Sequence, residues 1–208
     1  WCWPMWSWGI AWRPCGPSEV SSLIKHIAHI RTSGTIVRSS PYLINRLLRS
    51  IDFTRARTVV QLGAGTGCIT RALLKRMRPD ARLIVLELNH AFIDACSAIS
   101  DRRLTMHHAC ATTLPQVLAE MGLPHADHVV SSLPLAILDD GLVDQILEVS
   151  QAALAPGGKF LQYQYSLKHH AMLQERYDDV QLGFTLANIP PAFVYECTQG
   201  ARVAVVGD

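Results

Sequence analysis

Three glycines at alternate positions, Gly63, Gly65 and Gly67, fall in VVQLGAGTGCITRALL, between an apolar run and a helical pattern. Glycine lets a backbone turn sharply while a ligand lies against it, so this loop is a candidate cradle. Its spacing is GxGxG, not the GxGxxG of dinucleotide binders, so pyrophosphate is not the expected guest. Glu87 ends the next apolar run. A carboxylate there can accept both hydroxyls of a ribose held over the loop. In VVSSLPLAIL, residues 129–138, a strand pattern ends in two serines and restarts as Leu-Pro-Leu. Proline removes a donor and sets the turn, which leaves carbonyls and the hydroxyls of Ser131 and Ser132 to accept from an amine N–H. LAPGGKF, residues 154–160, reads as a helix end, a turn and a new strand. Each feature also has a plainer reading: a tight turn, an exposed strand end, a strand capped by serines.

The elements that must position these residues follow from periodicity. From residue 57, RTVVQL, RLIVLEL, LTMHHA, DHVVSS and APGGKFLQYQYS read as strands and turns. Helical patterns alternate with them: 67–78, one capped near Asn89, one carrying Leu114, Val117, Leu118 and Met121, and one carrying Leu142, Val143, Ile146, Leu147 and Leu154. A short helix is expected over 168–177. Repeated βα units predict an α/β fold, a doubly wound, mostly parallel sheet with helices on both faces. VQLGFTLAN and AFVYECT are joined too closely for a crossover helix, so they form an antiparallel hairpin.

Upstream, Ser40 and Pro41 read as helix cap and first helical position, with Ile44, Leu47, Leu48 and Ile51 as the buried stripe. Ser18 can cap a basic amphipathic helix to Arg31, with Val20, Leu23, Ile24, Ile27 and Ile30 on one face. That helix either lies on an anionic membrane or packs on the domain. The first dozen residues hold all five tryptophans, an interfacial anchor or an expression remnant. The expected divisions are 1–17 as this segment, 18–54 as a helical extension or lid, and 55–208 as the ligand-binding domain.

At 208 residues, 49% hydrophobic and 17% charged, the chain supplies one sizeable core. Six cysteines without a CxxC pair predict reduced thiols in a cytoplasmic setting, and no metal site is expected. Thirteen Lys and Arg stand against three acidic residues up to residue 82, and six against fourteen after it. Such asymmetry predicts an anionic partner, a lipid surface or nucleic acid, met by the N-terminal half.

GAGTG after the first strand, Glu87 after the second, Leu-Pro after the fourth and LAPGGKF before the fifth together resemble the class I S-adenosylmethionine-dependent methyltransferases. The resemblance covers residues 55–197. It implies a Rossmann-like seven-stranded sheet with its last strand antiparallel, and S-adenosyl-L-methionine over the strands' carboxyl ends. The cofactor set expected on this reading is Gln61, Gly63, Ala64, Gly65, Gly67, Glu87, Leu88, Cys110, Ala111 and Ser131. Two positions depart from the family: Gln61 stands where an acidic residue is usual, and Cys110 where an aspartate commonly accepts from the adenine amino group. The backbone at Cys110-Ala111 is left to meet the ring edge.

In this family the end of the fourth strand faces the methyl donor, so residues 131–135 should meet the acceptor. Ribosomal-RNA adenine dimethyltransferases carry Asn-Leu-Pro-Tyr there. SSLPL keeps Leu-Pro but lacks the aromatic residue that stacks on a base, which suits an alkyl amine better. With SGTIVRSSPYLINRLL and NIPPAFVY, it resembles bacterial phospholipid N-methyltransferases, which methylate phosphatidylethanolamine stepwise towards phosphatidylcholine. Ser131, Ser132, Leu133 and Tyr165 are the expected catalytic residues. Arg38, Ser39, Ser40, Tyr42, Pro134 and His169 form the expected substrate side, with Arg38 and the Ser40 helix start as a phosphate seat. Tyr165 and His169 join the serines as candidates to take the amine's proton, and Tyr42 and Tyr165 to hold an ammonium by cation–π contact. The expected protein is a monomer peripherally associated with an anionic membrane. The rivals are an RNA adenine methyltransferase and a catalytically silent domain that binds a membrane or a partner.

Overall fold

Side-chain parity along the first strand sets the layers. In β1 (Thr58–Leu62), Val59 faces one core while Val60 and Leu62 face the other, all three fully buried. A strand covered on both faces reads as a continuous apolar run. The computed structural model describes residues 39–200. The tryptophan-rich start, the 18–31 helix and Arg38 lie outside the described residues.

The chain runs through α1 (Pro41–Leu48), β1, α2 (Cys68–Arg76), β2 (Arg82–Glu87), α3 (His90–Ser97), β3 (Leu104–His108), α4 (Leu114–Glu120) and β4 (Ala126–Ser131). It continues with α5 (Asp140–Ala153), β5 (Leu154–Gln164), α6 (His170–Arg176), β6 (Asp179–Thr185) and β7 (Ala192–Thr198). The seven strands form one sheet in the order β3-β2-β1-β4-β5-β7-β6. β7 is antiparallel to both neighbours and all other pairs are parallel, as expected from the family resemblance. The strand order reverses between β1 and β4, so the loops leaving these two strands diverge and open a crevice at their carboxyl ends.

Leu114, Ile146 and Leu173 of α4, α5 and α6 cover one face, against Val60, Val129 and Phe160. Leu43, Leu73 and Cys96 of α1, α2 and α3 cover the other, against Val59, Val130 and Leu161. Each fully buried leucine contributes about 1.5–3 kcal/mol. Helix α1, assigned from sequence to the extension, is thus part of a core. Ser40 caps it as expected, its Oγ accepting from Leu43 N at 3.1 Å.

One expectation is corrected. Leu154 does not extend the apolar face of α5 but opens β5, paired with Ala126. Pro156 drives the preceding residue into an extended conformation, and Gly157 turns with φ +76°, so the helix ends at Ala153.

Candidate functional site

The glycine loop joins β1 to α2 at the carboxyl end of the sheet, and its three glycines have φ of +81°, +51° and +77°. A Cβ on Gly63 would lie 3.1 Å from Ser132 Oγ and 3.2 Å from Leu133 Cδ2; on Gly67 it would lie 2.9 Å from Arg71 Nη1. Around Gly65 it would meet nothing within 4 Å. Gly63 and Gly67 therefore serve the packing of the loop, whereas Gly65 leaves bare backbone facing open space.

Glu87 reaches this loop from the end of β2. Its Oε2 accepts from Ala64 N at 2.8 Å and Gly65 N at 3.3 Å, and its Oε1 from Asn89 N at 2.8 Å. The carboxylate thus braces the cradle as well as lining it. An ionised carboxylate has about four acceptor sites, so capacity remains for a hydroxyl.

Gln61 shares the parity of Val59 and so points at α2. Fully buried, it accepts from Thr70 Oγ1 at 2.9 Å and donates Nε2 to Gly63 O at 2.8 Å. A neutral amide can donate to that carbonyl, and an ionised carboxylate cannot. The departure from the usual acidic residue therefore has a structural use here, as a clamp under the loop.

Beside Gly63 a pocket is lined by Leu86, Glu87, Leu88, Cys110, Leu133 and Ile146, among others. Apolar walls with a single carboxylate suit a flat base carried on a ribose, so the residues fit S-adenosylmethionine. Two details were not legible in the sequence: Ile146 reaches this pocket from α5, and the Cys110 carbonyl is already engaged. Cys110 O accepts from Thr113 N at 3.0 Å and Thr113 Oγ1 at 2.8 Å, closing a 3₁₀ turn over Ala111–Thr113. Two donors thus already occupy the Cys110 carbonyl, within the Cys110-Ala111 backbone expected to meet the ring edge, and both residues line the pocket.

The end of β4 divides its serines by parity. Ser131 is fully buried and its Oγ accepts from Leu133 N at 3.3 Å, which makes it a turn residue. Ser132 faces the loop and donates Oγ to Gly63 O at 2.9 Å. With its proton committed, this hydroxyl presents only lone pairs to its surroundings. The carbonyls expected to stay open after the proline turn are taken: Leu133 O accepts from Gln162 Nε2 at 3.0 Å and Leu135 N at 2.9 Å, and Pro134 O from Ile137 N at 3.1 Å.

Ser39 and Ser40 sit against the β6–β7 turn. Ser40 N donates to Asn188 Oδ1 at 2.9 Å, Ser40 Oγ to Ala187 O at 2.6 Å, and Ser39 Oγ to Tyr163 OH at 3.3 Å. Tyr163 meets Tyr165 edge-on with centroids 5.9 Å apart, and Asn188 Nδ2 lies 3.5 Å from Tyr165 OH. Burial pushes both phenols above their ordinary pKa, so each stays protonated at neutral pH. Tyr165 is therefore a wall or hydrogen-bond donor and not a base. Tyr163 was missed in the sequence, although the alternation Leu161, Tyr163, Tyr165 places it on the face of Tyr165. Tyr42 is exposed on α1. His169 is buried at the start of α6 with Nε2 3.2 Å from Asp140 Oδ1, and its Nδ1 is buried without a hydrogen-bond partner. It is not among the residues lining the pocket.

Among the described residues no group of His, Cys, Asp and Glu could hold a metal ion, and no helix is long and apolar enough to cross a membrane.

The sequence model of the methyltransferase small domain family matches residues 35–185. The chain is 33% identical over 176 residues to an ornithine lipid N-methyltransferase of Singulisphaera acidiphila, covering 83% of this chain and 92% of that protein. It is 35% identical over 69 residues to a ribosomal RNA small subunit methyltransferase H of Aromatoleum aromaticum, covering 33% of this chain and 22% of that one. In fold it is similar to the N-methyltransferase NodS of Bradyrhizobium japonicum in complex with S-adenosyl-L-homocysteine. That likeness has a TM-score of 0.65 at 15% identity and covers 87% of this chain and 98% of that one.

Proposed function

The chain belongs to the methyltransferase small domain family and is a class I S-adenosylmethionine-dependent methyltransferase; from that premise we propose that it methylates the amine of a membrane lipid. The acceptors are phosphatidylethanolamine and its mono- and dimethyl forms, by the likeness of SSPYLINRLL, SSLPL and NIPPAFVY, residues 39–48, 131–135 and 188–195, to phospholipid N-methyltransferases. The observation that carries the lipid class is the match along nearly the full length of an ornithine lipid N-methyltransferase, which makes ornithine lipid the rival headgroup.

The residues that would hold the cofactor are the loop backbone around Gly65, Glu87 for the ribose, and Leu88, Cys110 and Ile146 around the base. When bound, S-adenosylmethionine supplies an activated methyl on a sulfonium, so the protein's task is to orient and desolvate. Ser132 suits that task. Its hydroxyl offers lone pairs to an N–H of the primary or monomethyl amine, whose own lone pair is left for the methyl; the neutral dimethyl form has no N–H and would be held by the crevice walls alone. An alkyl amine is mostly protonated below a pKa of about 10, and attack needs the neutral form. Burial at the crevice favours that form.

The test is incubation with methyl-labelled S-adenosylmethionine and vesicles containing phosphatidylethanolamine or ornithine lipid, followed by lipid extraction. Label in phosphatidylethanolamine products is the expected result. Label in ornithine lipid alone would move the headgroup assignment. Label in neither would end the lipid reading.

A further inference from the structure

β6 runs in the same direction as β1–β5, so the β6–β7 turn lies at the carboxyl end of the sheet, on the side of the glycine loop. That turn carries Leu186 and Ile189, 74% and 82% exposed. Beside them stand Tyr165 and Leu167, which follow β5, and Tyr42 on the first turn of α1, all exposed. These elements are clasped together. Asn188, itself buried, accepts from Ser40 N at 2.9 Å, donates to Pro190 O at 2.8 Å and lies 3.5 Å from Tyr165 OH. Five large exposed apolar or aromatic side chains, the lip, are thus carried at the carboxyl end of the sheet, on or beside segments that Asn188 and Ser40 join. Isolated exposed apolar residues are ordinary, but a contiguous group marks an interaction surface.

Two observations choose the occupant. Tyrosines flanking aliphatic side chains are the composition of a membrane–water interface. The chain also enters the described fold at this lip, through Ser39 and Ser40, and the 38 residues before Ser39 carry Arg13, Lys25, Arg31 and Arg38 against Glu19 alone. Positive charge leading into an apolar lip matches an anionic bilayer, where headgroups attract the one and acyl chains receive the other. We propose that Tyr42, Tyr165, Leu167, Leu186 and Ile189 are the membrane-docking surface, which seats the crevice on an anionic lipid leaflet. This rests on the reading of the acceptor as a lipid, since it is the lip that brings such an amine to Ser132.

The experiment is sedimentation of the full chain with phosphatidylglycerol–phosphatidylcholine vesicles that contain no acceptor, comparing the parent with L186S/I189S. Partition is expected to fall about tenfold or more, while methylation of a detergent-dispersed aminolipid stays at the parent level. The companion L186W/I189W keeps interfacial side chains and is expected to bind at least as well as the parent. Serine variant and parent binding equally, weaker binding by the tryptophan variant, or no parent binding at all would each overturn the lip. If serine substitution abolishes binding yet the parent methylates no lipid, the docking surface stands and the acceptor assignment fails. Methylation of dispersed lipid without vesicle binding would have the opposite meaning.

Discussion

Gln61 and Ser132 donate to one acceptor: Gln61 Nε2 and Ser132 Oγ lie 2.8 and 2.9 Å from Gly63 O. They come from the ends of neighbouring strands, β1 and β4, and occupy both lone pairs of a single carbonyl at the head of the glycine loop. The loop's shape is therefore set from beneath by side chains, and its ligand side is left to backbone. Each partner can be removed separately.

Gln61→Leu leaves Gly63 O with one donor and the buried Thr70 hydroxyl without its acceptor. The expected cost is about 1–3 kcal/mol of stability, together with weaker cofactor binding because the loop is less constrained. Thermal melts, with calorimetric titration of S-adenosylhomocysteine, measure both. An unchanged melting temperature would remove the clamp.

Ser132→Ala removes the second donor and, on the proposed reading, the acceptor for the substrate N–H. Loss of the brace alone corresponds to about 1 kcal/mol, or roughly fivefold in cofactor affinity. Methyl transfer is expected to fall by at least tenfold more than binding does. Equal losses would leave Ser132 as a brace only.

Gly63→Ala and Gly65→Ala separate packing from ligand contact. The first is expected to lower the melting temperature, because its Cβ meets Ser132 and Leu133 at a φ of +81°. The second meets no neighbour; it costs about 1–2 kcal/mol for its backbone conformation but obstructs the cradle. Cofactor affinity in Gly65→Ala should fall by more than its stability does.

Stability should depend on His128 in mildly acid solution. Burial on β4 lowers its pKa from 6.5 to about 4, and Asp127 only partly opposes this. The unfolded chain takes up a proton below pH 6.5 while the folded chain does not until about pH 4. Stability is therefore greatest above pH 6.5 and is lost progressively down to about pH 4, by about 2 kcal/mol at pH 4.5. Melting curves from pH 7 to 4.5 should be flatter for His128→Gln than for the parent.

Asn188→Ala weakens the clasp between the start of α1 and the β6–β7 turn, leaving only Ser40 Oγ on Ala187 O. Hydrogen exchange is expected to speed up at residues 40–43 and 186–191 while β1 and β4 keep their protection. Uniform acceleration would mean that the fold as a whole had been weakened.

Much of this molecule was legible in its residues. Alternating βα patterns, GAGTG and the cap Ser40-Pro41 express local rules of periodicity, backbone freedom and capping, so the doubly wound sheet, the cradle and the start of α1 could be read directly. Glu87 was legible as a strand-end carboxylate. Its hydrogen bonds from Ala64 N and Gly65 N were not, because those partners depend on how two strands align. The same holds at 131–135. Sequence offered two equivalent serines and open carbonyls, whereas parity and strand pairing turned Ser131 into the core, aimed Ser132 at Gly63, and brought Gln162 from β5 to occupy Leu133 O.

What the sequence determined alone was therefore whatever depends on neighbours in the chain: strands, helices, glycine turns and the family's order of motifs. Tertiary structure decided which polar atoms remain available, since a hydrogen bond between residues 70 apart is settled by sheet register. It also decided that Tyr42, Tyr165 and Ile189, far apart in sequence, share the carboxyl end of the sheet, because the topology returns β6 to the same end as β1.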